Sequence, residues 1–290
     1  MKVIPVASDS LGVRSMATVV ITEHLSVFID PGVALSPNRF NLPPHPLELK
    51  RKEAKWQEIT EWVKKCDVII VTHYHYDHHN PEALEIYQDK VVFLKDPLNN
   101  INESQKTRAN YFLKEIKPLV QVLLVADGRE FDIKGVKIKF SPAVFHGLNP
   151  HLGFVTEVLI DDGAKKFLFT SDVQGPVHRE AVDFILEHKP DIIFGDGPMT
   201  YLLNYRYREE DLMKAMENIK KVLKEKPTTT IILDHHLTRD ENYQSYLPKE
   251  LVGDKILSVA QYLGQKDELL EAKRRELYKT DYPTRPKENK

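Results

Sequence analysis

Residues 72–79 contain four histidines and one aspartate within eight positions. They directly follow residues 68–71, an apolar, β-branched run that predicts a buried strand. In α/β folds, ligands and catalytic groups gather where strands leave the sheet. Imidazole nitrogens and carboxylate oxygens are the usual protein ligands of zinc, iron and manganese. The stretch therefore predicts a metal site at the end of a strand.

The spacing within this stretch is His-x-His-x-Asp-His, and it allows a loop to wrap a small metal centre. His73 and His75 can converge on one cation. Asp77 and His78 can then turn toward a second cation. One such cluster is suggestive, and its meaning depends on which donors follow at other strand ends.

Three further donors follow strand-like runs downstream. His146 comes after residues 136–140, Asp172 ends the run that begins at residue 166, and His235 follows residues 229–233. His236 is adjacent to His235 and is the second candidate for the donor at this strand end. An acidic residue, Asp30, follows an early strand-like run in the same way.

The elements that must position these donors alternate along the chain. Strand-like patterns occupy residues 16–21, 25–29, 68–71, 91–94, 120–125, 136–140, 154–160, 166–169, 191–194 and 229–233. Helical patterns occupy residues 47–65, 81–87, 103–116, 177–187 and 209–224. These patterns predict a mixed α/β domain over residues 1–265. Residues 266–290 are highly charged and predict a C-terminal tail, with a solvated helix at 269–277 and a frayed end.

Together these motifs resemble the five ordered motifs of the metallo-β-lactamase superfamily. The matching positions, in chain order, are Asp30, His73, His75, Asp77, His78, His146, Asp172 and His235. The match covers about residues 19–239. Within the superfamily, the chain most resembles a largely archaeal group of metal-dependent hydrolases.

The resemblance implies a four-layer αββα sandwich of two mixed sheets flanked by helices, with its site at one edge between the sheets. It implies two divalent metal ions with separate ligands: for the first, His73, His75 and His146; for the second, Asp77, His78 and His235. Asp172 would bridge the pair, and Asp30 would accept a hydrogen bond from a ligand histidine and fix its tautomer. The predicted catalytic residues are accordingly Asp77, His78 and Asp30. Zinc is the first expectation, with manganese and iron open.

A metal pair of this kind activates water for attack on a carbonyl carbon or a phosphorus atom. True β-lactamases of the superfamily usually have cysteine in place of Asp172 and commonly lack the histidine equivalent to His78. The chain has both residues. They predict a hydrolase, with a phosphodiester or nucleotide-like substrate slightly favoured over a thioester or lactone. The same motifs are also compatible with an iron-dependent redox enzyme and with a non-catalytic relative that binds nucleic acid.

Composition limits the cellular compartment and the classes of partner that the sequence predicts. The formal net charge of −2 provides no overall attraction to nucleic acid or to an anionic membrane, although a local basic groove is compatible with it. Cys66 is the sole cysteine, so an internal disulfide and a cysteine-based zinc site are excluded. No signal peptide or membrane span is expected. These features predict a cytoplasmic protein that acts on a small-molecule or nucleotide-like substrate.

Other polar and aromatic residues have weaker claims. His79 is expected beside the site, and Tyr74 and Tyr76 are expected to pack against the metal loop. Asp196 is either a partner of the site or a turn residue. Candidate substrate contacts are residues 201–208, Arg39 and Arg239. Four histidines are expected to be surface or core residues without a ligand role: His24, His45, His178 and His188.

Overall fold

A computed structural model describes residues 1–281 of the chain. The first six strands form one sheet in chain order: β1 (Lys2–Pro5), β2 (Thr18–Ile21), β3 (Ser26–Ile29), β4 (Val68–Val71), β5 (Val91–Leu94) and β6 (Val122–Val125). The pairs β1–β2 and β2–β3 are antiparallel. From β3 to β6 the pairing is parallel, so β3 and β4 have their carboxyl ends at the same edge.

The next strands are β7 (Glu130–Ile133), β8 (Val136–Phe140), β9 (Val144–Phe145), β10 (Phe154–Val155), β11 (Val158–Asp161), β12 (Lys166–Ser171), β13 (Ile192–Gly195), β14 (Thr230–Leu233) and β15 (Ile256–Leu257). Seven of them form a second sheet in the order β15-β14-β13-β12-β11-β8-β7, and β9 and β10 form a separate ribbon. The pairing from β12 to β15 is parallel.

Within residues 1–281, six α-helices complete the fold: α1 (Pro46–Val63), α2 (Glu103–Ile116), α3 (Arg179–His188), α4 (Glu209–Glu225), α5 (Val259–Tyr262) and α6 (Arg274–Asp281). A capping box begins α1, in which His45 accepts from the backbone N–H of Leu47 and the Glu48 carboxylate accepts from the backbone N–H of His45. Among the described residues, no helix is long and apolar enough to cross a membrane.

Alternation along the strands produces four layers. Successive side chains of a strand point to opposite faces of the sheet. In β4, Val68 and Ile70 enter the core between the two sheets, whereas Ile69 and Val71 belong to the core that contains α1 and α2. In β12, Phe167 faces the inter-sheet core, and α3 and α4 cover the other face of the second sheet. The predicted αββα sandwich is confirmed.

Two local predictions are wrong. The run at 154–160 is divided, because Phe154–Val155 pairs with β9 while Val158–Asp161 pairs with β8 and β12 in the second sheet. The helix expected at 81–87 is a shorter 3₁₀ turn, Leu84–Tyr87.

The solvated helix expected at 269–277 is also wrong. Leu269 and Ala272 are buried in the core beside α4, and the last helix begins only at Arg274. Arg274 is fully buried, and its guanidinium donates to both oxygens of the buried Glu48 on α1 at 2.8 Å. The expected boundary after residue 265 stays a prediction, and the fraying expected at the chain end concerns residues 282–290, which lie outside the described residues.

Candidate metal centre

The candidate donors follow the carboxyl ends of strands in both sheets. Asp30 follows β3, His73 follows β4 by two residues, and Asp172 follows β12. The backbone turns sharply at these ends, since Asp30, Ser171 and His235 have φ angles of 52°, 58° and 54°. A non-glycine residue in this left-handed region carries strain of about 1–3 kcal/mol, and such strain is concentrated at functional sites.

The first donor group consists of His73, His75, His146 and Asp172. Nε2 of His146 lies 3.1 Å from Nδ1 of His75 and 3.3 Å from Oδ2 of Asp172. Nε2 of His73 lies 3.8 Å from the same carboxylate oxygen. Three ring nitrogens and one oxygen therefore surround one point, as a small cation requires.

The second donor group consists of Asp77, His78 and His235. Nε2 of His235 lies 3.5 Å from Oδ2 of Asp77 and 3.7 Å from Oδ2 of Asp172. Nε2 of His78 lies 3.2 Å from Oδ1 of Asp172. The Asp172 carboxylate thus lies between the two groups. Its Oδ2 approaches histidines of both groups, and its Oδ1 approaches His78 of the second group.

Several donor atoms are buried with few or no hydrogen-bond partners, which makes them suitable metal ligands. Nε2 of His73 is buried and has no hydrogen-bond partner, and Nε2 of His78 and Oδ1 of Asp172 are buried with only each other as a close polar contact, at 3.2 Å. Buried polar atoms are normally satisfied, and convergent exceptions call for a bound group. Nitrogen and oxygen donors from histidine and aspartate fit a divalent transition metal such as zinc, manganese or iron.

A carboxylate lies behind two of the histidines in the second group. Oδ2 of Asp30 accepts from Nδ1 of His78 at 2.8 Å, and Oδ2 of Asp9 accepts from Nδ1 of His235 at 2.7 Å. Because a carboxylate only accepts, each Nδ1 carries a proton, and Nε2 is the nitrogen that can offer a lone pair to a metal. Asp9 was missed in the sequence, where it matches no motif and does not directly follow a strand.

The structure brings both His235 and His236 to the site. His236 belongs to a third donor group with Asp172 and His235, and its Nε2 lies 3.9 Å from Oδ2 of Asp172. Oδ2 of Asp196 lies within hydrogen-bond distance of Nδ1 of His236, at 2.7 Å, so Asp196 is a partner of the site rather than a turn residue alone. Only His235 also approaches Asp77, and its choice as the last ligand stays a prediction.

Comparison with known proteins identifies the family. No protein-family model matches the chain. A UPF0282 protein of the archaeon Korarchaeum cryptofilum is 48% identical over 289 residues, which cover 98% of this chain and 96% of the relative. The chain belongs to the UPF0282 family.

Solved structures place this UPF0282 chain in the metallo-β-lactamase fold, as the resemblance implied. A protein of Veillonella parvula described as a possible metal-dependent hydrolase has a TM-score of 0.58 and 14% identity over 85% of this chain and 94% of its own. The isothiocyanate hydrolase from Delia radicum gut bacteria has a TM-score of 0.56 and 20% identity over 89% of this chain and 95% of its own. At this identity, the likeness concerns the fold alone.

Two histidines of the first donor group, His73 and His75, are held neutral in the UPF0282 chain. Burial, followed by the neighbouring His78 and His75, lowers the pKa of His73 well below its ordinary value. Burial and the neighbouring His146 lower the pKa of His75 to about 3. Neutral rings present lone pairs, which metal ligation requires.

The second donor group favours bound positive charge. Burial lowers the pKa of His78, but the carboxylates of Asp172 and Asp30 outweigh burial and raise it well above its ordinary value. Burial and Arg239 lower the pKa of His235, but Asp172 and Asp9 outweigh them and raise it to about 9. Divalent cations that bind here would replace these protons.

An open pocket of about 560 Å³ leads to the donors of this UPF0282 chain. Its lining includes four arginines: Arg14, Arg108, Arg206 and Arg239. Arg14 is paired with Glu271 at 2.6 Å. By contrast, within residues 1–281 neither Arg108 nor Arg206 forms an ion pair, and each guanidinium lies over a tyrosine ring instead.

The remaining sequence candidates occupy defined places. Tyr74 is buried and donates to the backbone oxygen of Lys95, whereas Tyr76 is half exposed at the pocket mouth. Tyr201 also lines the pocket, with Arg39 over its ring at 4.7 Å. His79 is buried beside Phe112. As expected for histidines without a ligand role, none of the donor groups found among the described residues contains His24, His45, His178 or His188.

Proposed function

We propose that this UPF0282 protein is a dinuclear metal-dependent hydrolase of phosphodiesters, with nucleotide-like compounds as the favoured class. The observation that carries the proposal is the position of Asp172. Its carboxylate approaches histidines of both donor groups at the base of a pocket that arginines line. One shared carboxylate between two nitrogen-rich groups is what a closely spaced metal pair requires.

The residues divide the work as follows. His73, His75 and His146 would hold the first cation, and Asp77, His78 and His235 the second. A metal pair supplies an activated water at neutral pH and stabilises negative charge that develops on the substrate. Asp30 and Asp9 keep the ligand rings of His78 and His235 in one tautomer and one orientation, so that the site is preorganised.

The charge of the pocket favours a phosphate substrate over an acyl substrate. A thioester or a lactone is neutral and gains little from a guanidinium. Arg108 and Arg206 have no acidic partner within residues 1–281, so their charges are available to a bound oxyanion. Arginine also matches phosphate geometrically, because its planar fork can donate two parallel hydrogen bonds.

The neighbouring surface favours a diester with a sizeable second arm. A groove of about 790 Å³ adjoins the pocket and shares Ala34, Leu35 and Tyr76 with it. Trp56 and Tyr111 also line this groove. Aromatic walls of this kind stack well on a nucleobase or another flat apolar group.

A substrate screen of the metal-loaded protein tests the proposal. Protein loaded with Zn²⁺, Mn²⁺ or Fe²⁺ would be compared on bis-p-nitrophenyl phosphate, p-nitrophenyl phosphate, a thioester and a lactone, with chelator-treated protein as the control. We expect the diester to be hydrolysed with the highest kcat/KM and the activity to disappear after chelation. Hydrolysis of the thioester or lactone alone would replace the phosphate assignment, and inactivity on all four would reject it.

A further inference from the structure

Arg239 places a permanent positive charge inside the second donor group. It lies two residues beyond the start of the 3₁₀ turn Leu237–Arg239 that follows the strand-end histidines, and it is 4% exposed. Its Nη2 lies 3.0 Å from Nε2 of His235 and 3.8 Å from Oδ2 of Asp77. Both of these atoms are the ones that the proposed function assigns to the second metal.

This arginine is held firmly in place. Its Nε donates to Oδ1 of Asp9 at 2.9 Å, and Asp9 also orients His235. Its backbone oxygen accepts from the guanidinium of Arg39 at 3.2 Å. A buried arginine with these anchors cannot simply leave when a cation approaches, and it keeps its charge at any ordinary pH.

Within residues 1–281, no arginine forms a hydrogen bond or an ion pair with a side chain of the first donor group. The guanidinium of Arg239 contacts the side chains of Asp9, Asp77 and His235, none of which belongs to the first group. A cation at the second position would compete with the guanidinium for the lone pair of His235 and would be repelled by its charge at short range. Arg239 would therefore lower the affinity of the second position relative to the first.

An anion bound in the pocket would raise the metal affinity of the second position. Arg239 lines the pocket as well as contacting the donors. An oxyanion there would lie against both the guanidinium and the cations, and would offset their mutual repulsion. We propose that Arg239 makes the second donor group the weaker metal position, and that a bound phosphate-like anion strengthens it. The inference rests on the proposed two-metal site and adds that its second metal is recruited together with the substrate.

Metal titration without any activity assay tests this inference. Co²⁺ binding would be followed by equilibrium dialysis with elemental analysis and by visible absorption, with and without millimolar methylphosphonate. In the wild type we expect the second Co²⁺ to bind roughly tenfold or more weakly than the first, and methylphosphonate to narrow the gap. A second Co²⁺ whose affinity ignores methylphosphonate would overturn the anion part of the inference.

Three variants separate charge from folding. Arg239→Gln should strengthen the second Co²⁺ site and reduce its response to methylphosphonate, whereas Arg239→Lys should keep it weak. Arg14→Gln is the matched control, because Arg14 lines the same pocket but is paired with Glu271, and it should keep the wild-type gap. Circular dichroism would establish that each variant is folded. If Arg239→Gln does not fold, an Arg239→Lys variant whose second Co²⁺ site is as strong as its first would still overturn the inference.

The outcomes also separate this inference from the proposed function. If the wild type and Arg239→Gln both bind two Co²⁺ ions with unchanged affinities, Arg239 has no such role although the two-metal site stands. If the wild type binds no second Co²⁺ under any condition, even with methylphosphonate, the two-metal site itself is wrong.

Discussion

Nδ1 of His235 lies 2.7 Å from Oδ2 of Asp9, although 226 residues separate the two in the sequence. The other oxygen of the same carboxylate accepts from Nε of Arg239 at 2.9 Å. The buried Asp9 therefore determines which nitrogen of His235 faces the donor group. It also holds the guanidinium of Arg239 beside that ring. The site is consequently built by the first residues of the chain as well as by its motifs.

Asp9→Asn should weaken the second metal position selectively. The change removes the charge that supports the His235 ring while nearly keeping its shape, and loss of such a partner typically lowers metal affinity by about 10–100-fold. Zn²⁺ titration with a competing chelator would measure both positions. Asp254→Asn, at an exposed aspartate, is the control. Equal second-site affinities in Asp9→Asn and the wild type would show that Asp9 does not support the ligand.

Arg108→Met and Arg206→Met should each raise KM for a phosphodiester by roughly tenfold, because each removes a charge-assisted contact worth about 1.5 kcal/mol or more. Metal content should be unchanged, since neither side chain belongs to a donor group. Arg129→Met is a matched control. Arg129 lies 4.8 Å over the ring of Phe131, just as Arg108 lies 4.8 Å over the ring of Tyr76, but Arg129 does not line the pocket. A KM that is the same in all variants would remove the arginines from substrate binding.

Gly32→Ala should damage the metal loop. A Cβ atom at this position would lie 2.7 Å from the backbone nitrogen of His78 and closer still to that of His79. Since both neighbours are backbone, the loop itself must shift, and we expect reduced metal content together with a lower Tm. Gly163→Ala is the comparison, because its Cβ meets no atom within 4 Å and only its positive φ is strained. Normal metal content in Gly32→Ala would show that the loop tolerates the shift.

Glu157→Gln should change how stability depends on pH. Burial raises the pKa of Glu157 well above its ordinary value of 4.5, and neither carboxylate oxygen has a hydrogen-bond partner. The folded chain thus keeps a proton that the unfolded chain loses above about pH 4.5, so folding stability falls as pH rises, by up to about 1.4 kcal/mol per unit until the folded-state pKa is reached.

The measurement is urea unfolding of the wild type and Glu157→Gln between about pH 5 and 7. The stability of the variant should rise relative to that of the wild type as pH increases through this range, because glutamine has no proton to lose. Glu23→Gln, at an exposed glutamate, should run parallel to the wild type. Parallel curves for Glu157→Gln as well would mean that Glu157 titrates normally in the fold.

The sequence indicates candidate donors at strand ends because each of them follows a strongly apolar run. The residues of β4 alternate between two cores, and the polar loop after them has nowhere to lie except at the sheet edge. His146, Asp172 and His235 follow the same logic. Their convergence then depends only on which strand ends share an edge, and parallel pairing on the donor side of both sheets provides that.

Other features depend on contacts between distant parts of the chain. Asp9 and Arg239 acquire their roles only because the start of the chain meets the end of β14. Arg274 is buried only because Glu48, 226 residues away, provides a buried carboxylate. The sequence does not show the division between β10 and β11 for a related reason. An apolar run does not reveal where one strand ends and the next begins with a different pairing partner.

The metal count of the purified chain tests the central claim most directly. After loading with Zn²⁺ and removal of free ions, elemental analysis should find two metals per chain in the wild type and in the control Asp254→Ala when methylphosphonate is present. Asp172→Ala should lose at least one of them, because both donor groups share that carboxylate. A wild type that binds no metal, or an Asp172→Ala variant that binds as much as the wild type, would contradict the account.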